Sequence, residues 1–352
     1  MHAPDRAPST LSRRRLITGT AAVGAGAVLM SASGNAERAH RIDVHHHIFP
    51  RSIMDLTERL FPGGGRQGPP PTIKEWTPSL MLDEMDRNGV AIAIGSQPGP
   101  GPWMNTPAVA RQIIRAWNEV ASGLARDHRA RFGFFAMLAP PDIDGSLTEM
   151  AYALDVLKAD GIGLHSNYDG KYLGDPTFAP LFDELQRRKA TVYIHPTLAP
   201  CCGNAQPGIR TNLLEFPFDS TRNVVSLLFS GTLSRCPDVR FIISHAGGAL
   251  PMLAGRIELL SSEYKGLAEK IPKGIQHELG RLYCDTAGTT SATSLAAAVA
   301  VMSRTHVLYG SDYPYLPIAG ANSGLAASAL APDLLRAVER DNALALFTRF
   351  KS

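Results

Sequence analysis

Eight short apolar segments recur along the chain, and stretches with helical apolar spacing lie between most of them. The strand candidates are Arg41–His47, Val90–Ser96, Phe132–Met137, Gly161–His165, Thr191–His195, Phe241–His245, Arg281–Asp285 and His306–Ser311. Ser79–Asn88, Ala108–Ala125, Ser146–Lys158, Phe178–Arg188, Ala249–Ser261 and Ser291–Met302 read as helices. Strands that alternate with helices pair in parallel, because a parallel pair needs a long crossover connection. Eight such units predict an α/β fold, the closed (β/α)8 TIM barrel. An open doubly wound sheet is the alternative, but no Gly-x-Gly-x-x-Gly turn follows the first strand. Insertions are expected near 62–71, 97–107 and 198–219. The last is read as a long loop holding Cys201-Cys202 and Glu215-Phe216-Pro217-Phe218, and such loops tend to be lids or binding loops.

Polar chemistry gathers at the strand ends. The first strand closes with Asp43-Val44-His45-His46-His47, the fifth with Tyr193-Ile194-His195-Pro196 and the sixth with Ile243-Ser244-His245. The eighth runs into Gly310-Ser311-Asp312-Tyr313-Pro314. His45 and His47 are two apart, so on a strand they share a face, and His46 points away. A barrel builds its active site at the C-terminal ends of its strands. Any one of these histidines alone is an ordinary buried residue; their joint placement is what carries weight. His45, His47, His195 and Asp312 offer three imidazole nitrogens and one carboxylate, a set that suits Zn²⁺ first and Mn²⁺ second. His245 stands beside them as an acid/base, and no organic cofactor is required.

Composition limits the partners. The chain has 352 residues, of which 44% are hydrophobic and 19% charged, enough for a large core and unlike a disordered chain. The net charge of +3 is local to the start. Without Arg6, Arg13, Arg14, Arg15 and Asp5, 31 basic residues face 31 acidic ones, so no nucleic-acid footprint is present. Ser12-Arg13-Arg14-Arg15 precedes an Ala/Gly-rich apolar run from Leu16 to Met30 and then small residues to Ala36. Residues 1–36 therefore read as a twin-arginine (Tat) export signal, leaving a periplasmic or secreted barrel domain over 37–352. The run is too short and glycine-rich for a membrane span. Cys201, Cys202, Cys236 and Cys284 form no Cys-x-x-Cys pair.

The four strand-end blocks resemble the signature blocks of the amidohydrolase superfamily, across residues 42–314. The closest branch is the aminocarboxymuconate-semialdehyde decarboxylase-like group, and within it the 6-methylsalicylate decarboxylase-like members. The resemblance implies a distorted barrel with one divalent metal on His45, His47, His195 and Asp312. It makes His245 the catalytic histidine, with Asp312 sharing the proton handling. It also implies a homodimer, and a carboxylate-binding role for Arg256, eleven residues after His245. Two departures matter. The fourth strand lacks the lysine that bridges two metals in many hydrolytic members. Met81 stands where the aminocarboxymuconate enzymes carry a substrate-binding arginine, which favours a simpler, more apolar acid. Trp103 and Phe218, with Phe216, Tyr313 and Tyr315, are aromatic wall candidates in what read as loops or strand ends. The function expected is non-oxidative decarboxylation of a small hydroxyaromatic or related unsaturated acid. Hydrolysis of an ester, lactone or amide is the alternative.

Overall fold

The computed structural model describes residues 40–62, 71–97, 101, 105–202 and 208–351. Among them, eight parallel strands pair in chain order: β1 Arg41–His47, β2 Val90–Ser96, β3 Phe132–Met137, β4 Gly161–His165, β5 Thr191–His195, β6 Arg240–Ile243, β7 Tyr283–Asp285 and β8 Val307–Leu308. The first and last strands meet through the chain beyond β8. Val44 donates to the Tyr309 carbonyl at 3.0 Å, Asp312 N to His45 O at 2.9 Å and His47 N to Tyr313 O at 2.8 Å. A distorted (β/α)8 barrel results, with its seam held at the strand ends that carry the histidines.

A register irregularity in β1 decides what faces the interior. Asp43 lies opposite Ala93, but His46 lies opposite Gly95, so three steps along β1 match two along β2. A bulge of this kind re-aims the side chains beyond it. Ile42 and Val44 sit in the inner cluster with Ile92, Ile94, Phe135, Tyr193, Ile242 and Leu308. Past the bulge, the His45 ring comes within 5.4 Å of the Tyr193 ring of that same cluster. One strand thus supplies both the apolar plug and the polar site above it. Phe347 and Phe350 join the same plug from the C-terminal segment.

The second, larger core lies between the sheet and the helices, and Met81 and Trp76 are buried in it. The helices that line this core start at polar or proline signals. Thr77 caps Pro78–Arg87 by accepting from Leu80 N, and Thr106 caps Pro107–Asp127 by accepting from Val109 N.

Three expectations need correction. Residues 211–219 are not loop: Thr211–Phe229 is a helix with Pro217 inside it. A proline within a helical pattern argues for a break, and here the helix continues past it. Phe216 and Phe218 are therefore helical. His245 does not end β6, which stops at Ile243; it opens a short 3-10 turn. β8 is two residues long, where six were expected. The proposed signal, residues 1–36, and Trp103 lie outside the described residues, as does part of each insertion.

Candidate metal centre

Four side chains from three parts of the barrel converge at its C-terminal mouth. His45 and His47 come from β1, His195 from the end of β5 and Asp312 from the chain after β8. One ligand atom from each lies within 4.8 Å of every other. His45 Nε2 is 3.2 Å from His47 Nε2, and Asp312 Oδ1 lies 3.2 Å and 3.1 Å from those two nitrogens. Two ring nitrogens facing each other at that distance must share a proton or a cation.

Each imidazole is held through its other nitrogen. His45 Nδ1 meets Asp285 Oδ2 at 3.0 Å, His47 Nδ1 meets the Ser96 hydroxyl at 3.0 Å, and His195 Nδ1 meets the Pro196 carbonyl at 2.8 Å. Such partners fix ring orientation and leave Nε2 toward the metal. Asp285 is fully buried at the end of β7, and its Oδ1 also accepts from His245 N at 3.1 Å and Ala287 N at 2.9 Å. Sequence reasoning placed Asp285 at a strand end without giving it a role. That position was the available signal.

His46 points away, as expected, and is nonetheless buried. Its Nδ1 meets Asp43 Oδ2 at 2.9 Å, and Asp43 also accepts from His45 N, Ser311 N and the Ser311 hydroxyl. Asp43 thereby ties β1 to the segment carrying Asp312. Those bonds help hold Asp312 at φ 63°, while His245 and Ala246 sit at φ 56° and 55°. Each left-handed non-glycine residue costs ~1–3 kcal/mol, and such strain clusters at functional sites.

The electrostatics show what the pocket demands. Burial disfavours charge on His45, yet Asp285 and Asp312 together raise its pKa to about 10. Burial lowers His47, against the pull of Asp312, and holds His195 well below the usual range, with help from His47 and His45. Burial pushes Asp312 up, but the His45 charge and the contacts with His245, His45 and His47 keep it well below the carboxylate range. The pocket thus concentrates one proton's charge on His45, beside neutral His47 and His195 and the ionised Asp312. A divalent ion fits the same point.

His245 stands outside this ligand group. Its Nε2 is 3.9 Å from Asp312 Oδ2, and its ring is 4.9 Å from that of His45. Its Nδ1 is buried with no hydrogen-bond partner among the described residues. His165, opposite His195 in the β4–β5 register, is buried and held neutral, its pKa lowered to about 3 by burial and then by His47. Phe216 places its ring 6.1 Å from His195, and Tyr315 lies 5.5 Å from His47. Phe218 is partly exposed on the same helix as Phe216. Arg256 lies exposed on the Leu250–Ser261 helix.

Three histidines and a carboxylate at the mouth of a (β/α)8 barrel define a metal-dependent barrel enzyme. The chain belongs to the amidohydrolase family, whose model matches residues 42–349. Decarboxylase yanB of Aspergillus niger is 35% identical over 329 residues, covering 88% of this chain and 88% of that protein. A 6-methylsalicylic acid decarboxylase of Penicillium expansum is 32% identical over 321 residues, covering 88% and 97%. The crystal structure of 5-carboxyvanillate decarboxylase from Novosphingobium aromaticivorans, complexed with manganese, superposes with a TM-score of 0.79 at 21% identity, covering 90% and 97%. The chain groups with the decarboxylases of its family and is a carboxy-lyase.

Proposed function

We propose that this carboxy-lyase removes CO₂ from a small hydroxyaromatic acid of the salicylate type. The observation that carries the reading is the pairing of a converged three-His, one-Asp cluster with His245 beside it, its Nδ1 without a hydrogen-bond partner among the described residues. The fit to a metal rests on the donors themselves: Nδ1 of each ligand imidazole is engaged and the Nε2 atoms of His45 and His47 face each other. A bound divalent ion supplies an electrophilic anchor for the anionic oxygens of the substrate. The N₃O donor set favours zinc. The manganese of the carboxyvanillate enzyme is the competing outcome.

The residues of the chain do the rest. Phe216 and Tyr315 offer aromatic faces beside the ligand histidines, suited to an aryl ring. Phe218, on the same helix as Phe216, extends that wall. His245 delivers a proton to the ring carbon that bears the carboxylate, with Asp312 Oδ2 orienting its Nε2. The C–C bond then breaks, its electron pair returns to the ring, and CO₂ leaves. Proton in and CO₂ out balance without an organic cofactor.

Two further parts belong to this reading. Met252, Arg256 and Leu259 stand at i, i+4 and i+7 on one helix, and both apolar members are 73% exposed. That stripe suits a second copy of the chain, with Arg256 meeting the substrate carboxylate across a homodimer interface. Residues 1–36 direct export as a Tat signal, and among the described residues no helix is long and apolar enough to cross a membrane.

Metal analysis together with a panel of salicylate-type acids in D₂O tests the proposal. The expected product carries one deuterium on the carbon that lost the carboxyl group. No CO₂ release from any acid, with ¹⁸O from labelled water entering the acid released from an ester, lactone or amide instead, would overturn it.

A further inference from the structure

Cys201 and Cys202 are adjacent in the turn Pro200–Cys202, and no part of the site chemistry uses them. Cys201 is exposed and Cys202 half-buried. Their Sγ atoms lie 2.6 Å apart, inside van der Waals contact, so both side chains turn to the same side of the chain. The other two cysteines, Cys236 and Cys284, are buried. The accessible thiols of the described residues are therefore a neighbouring pair.

The turn is wired to the active site. Cys202 N donates to Ala199 O at 3.0 Å, four residues past the ligand His195. Pro200 packs against the Asn167–Tyr172 hairpin, where a Cβ built on Gly170 would lie 3.5 Å from Pro200 Cδ. Within that hairpin Tyr172 donates to Asp219 at 2.8 Å and Asn167 donates to the same carboxylate at 2.8 Å. Ser166 also donates to Asp219, and its backbone N–H donates to His195 O at 2.9 Å. Asp219 is fully buried on the helix that carries Phe216. The contact with Cys201 and burial push the Cys202 thiol up, and the charge of Arg222, on that helix, offsets only part of this. A change at the thiols can thus reach both the hairpin and the aromatic wall.

We propose that Cys201 and Cys202 form a thiol-modification site that closes to a vicinal disulfide when it meets a low-molecular-weight disulfide, and that closure alters substrate entry. One cysteine thiolate attacks a sulfur of the reagent, whose S–S bond breaks, and the released thiolate takes up a proton. The second cysteine thiolate attacks the mixed disulfide at the protein sulfur and expels the second reagent thiolate, which is likewise protonated. Two protein thiols are oxidised and one reagent disulfide is reduced to two thiols. Closure fixes the turn that packs on the hairpin.

The test treats the metal-loaded full chain with oxidised glutathione, then alkylates it under native conditions and maps the peptides by mass. The peptide holding both cysteines is expected to lose two hydrogen masses and to resist alkylation. Dithiothreitol should restore two alkylatable thiols. Cys201→Ser should instead keep a stable glutathione adduct on Cys202. A persistent mixed disulfide in the wild-type chain, or two free thiols after oxidation, would overturn the site. Substrate entry is read as KM, expected to differ at least about two-fold between the two redox states with kcat held. The Cys201→Ser/Cys202→Ser double variant should show no such dependence. Equal KM in both states would overturn the entry effect. That arm rests on the decarboxylase reading, whereas the mass arm stands without any substrate.

Discussion

Asp285→Asn is the substitution that most directly probes how the metal centre is built. The wild-type carboxylate receives three bonds: His45 Nδ1 at 3.0 Å, His245 N at 3.1 Å and Ala287 N at 2.9 Å. Asparagine is nearly isosteric, so packing is kept. It has one acceptor oxygen where aspartate has two, and its NH₂ must face one of the former donors. If the amide oxygen keeps the two backbone donors, the NH₂ faces His45 Nδ1 and favours the tautomer with the proton on Nε2. That proton occupies the nitrogen the metal requires. Loss of such an outer partner typically lowers metal affinity or activity about 10–100-fold, or roughly 1.4–2.7 kcal/mol at 1.36 kcal/mol per decade. If the oxygen turns to His45 instead, a buried backbone donor is left unsatisfied at a cost of about 1–3 kcal/mol in stability. Competition with a chelator measures metal affinity, and thermal unfolding of the metal-free protein measures the second cost. One of the two must fall. An Asp285→Asn protein with wild-type affinity and wild-type Tm would refute the role given to this carboxylate.

Other perturbations separate the remaining roles. His47→Ala should abolish stoichiometric metal binding, and full occupancy by elemental analysis would remove His47 from the ligand set. His245→Ala should retain the metal while losing roughly 10²–10⁴ in kcat, the range for general acid–base catalysis; loss of the metal would place His245 in the coordination shell. Arg256→Ala should weaken substrate binding by about 1.5–3 kcal/mol, read as KM for a carboxylate substrate, and an unchanged KM would make Arg256 a surface residue. Replacing Arg13, Arg14 and Arg15 by Lys should trap a folded enzyme inside the cell, and unchanged export by fractionation would exclude the Tat route.

Much of the barrel was legible because parallel strands buried on both faces leave a distinctive run of apolar residues. β1 to β5 match their expected limits for this reason. β8 did not, because only Val307 and Leu308 keep ladder pairing with β7 before the chain turns to meet β1. Local sequence cannot show where a strand leaves one neighbour for another. The helix around Pro217 was misread for a different reason. Pro217 lacks an N–H to donate, but its carbonyl still accepts from the Thr221 hydroxyl at 2.8 Å, and Asp219 is anchored by the hairpin. Tertiary bonds hold a helix where propensity alone argues for a break.

The same division runs through the site. The His-x-His spacing, the strand-end His195 and the Gly-Ser-Asp block were readable because each is compact in sequence. What fixes their aim is not compact. Asp285 meets His45 across 240 residues, and Asp43 meets the Ser311 hydroxyl across 268. The bulge after Asp43 is equally silent, since it arises only from pairing with β2. Without it, strict alternation would put Ile42 and Val44 on one face and His45 and His47 on the other. The extra residue lets one strand bury an apolar plug and present two imidazoles above it, on the same inner side. The ligands can therefore be named from the sequence, while their convergence on one point is a property of the closed barrel.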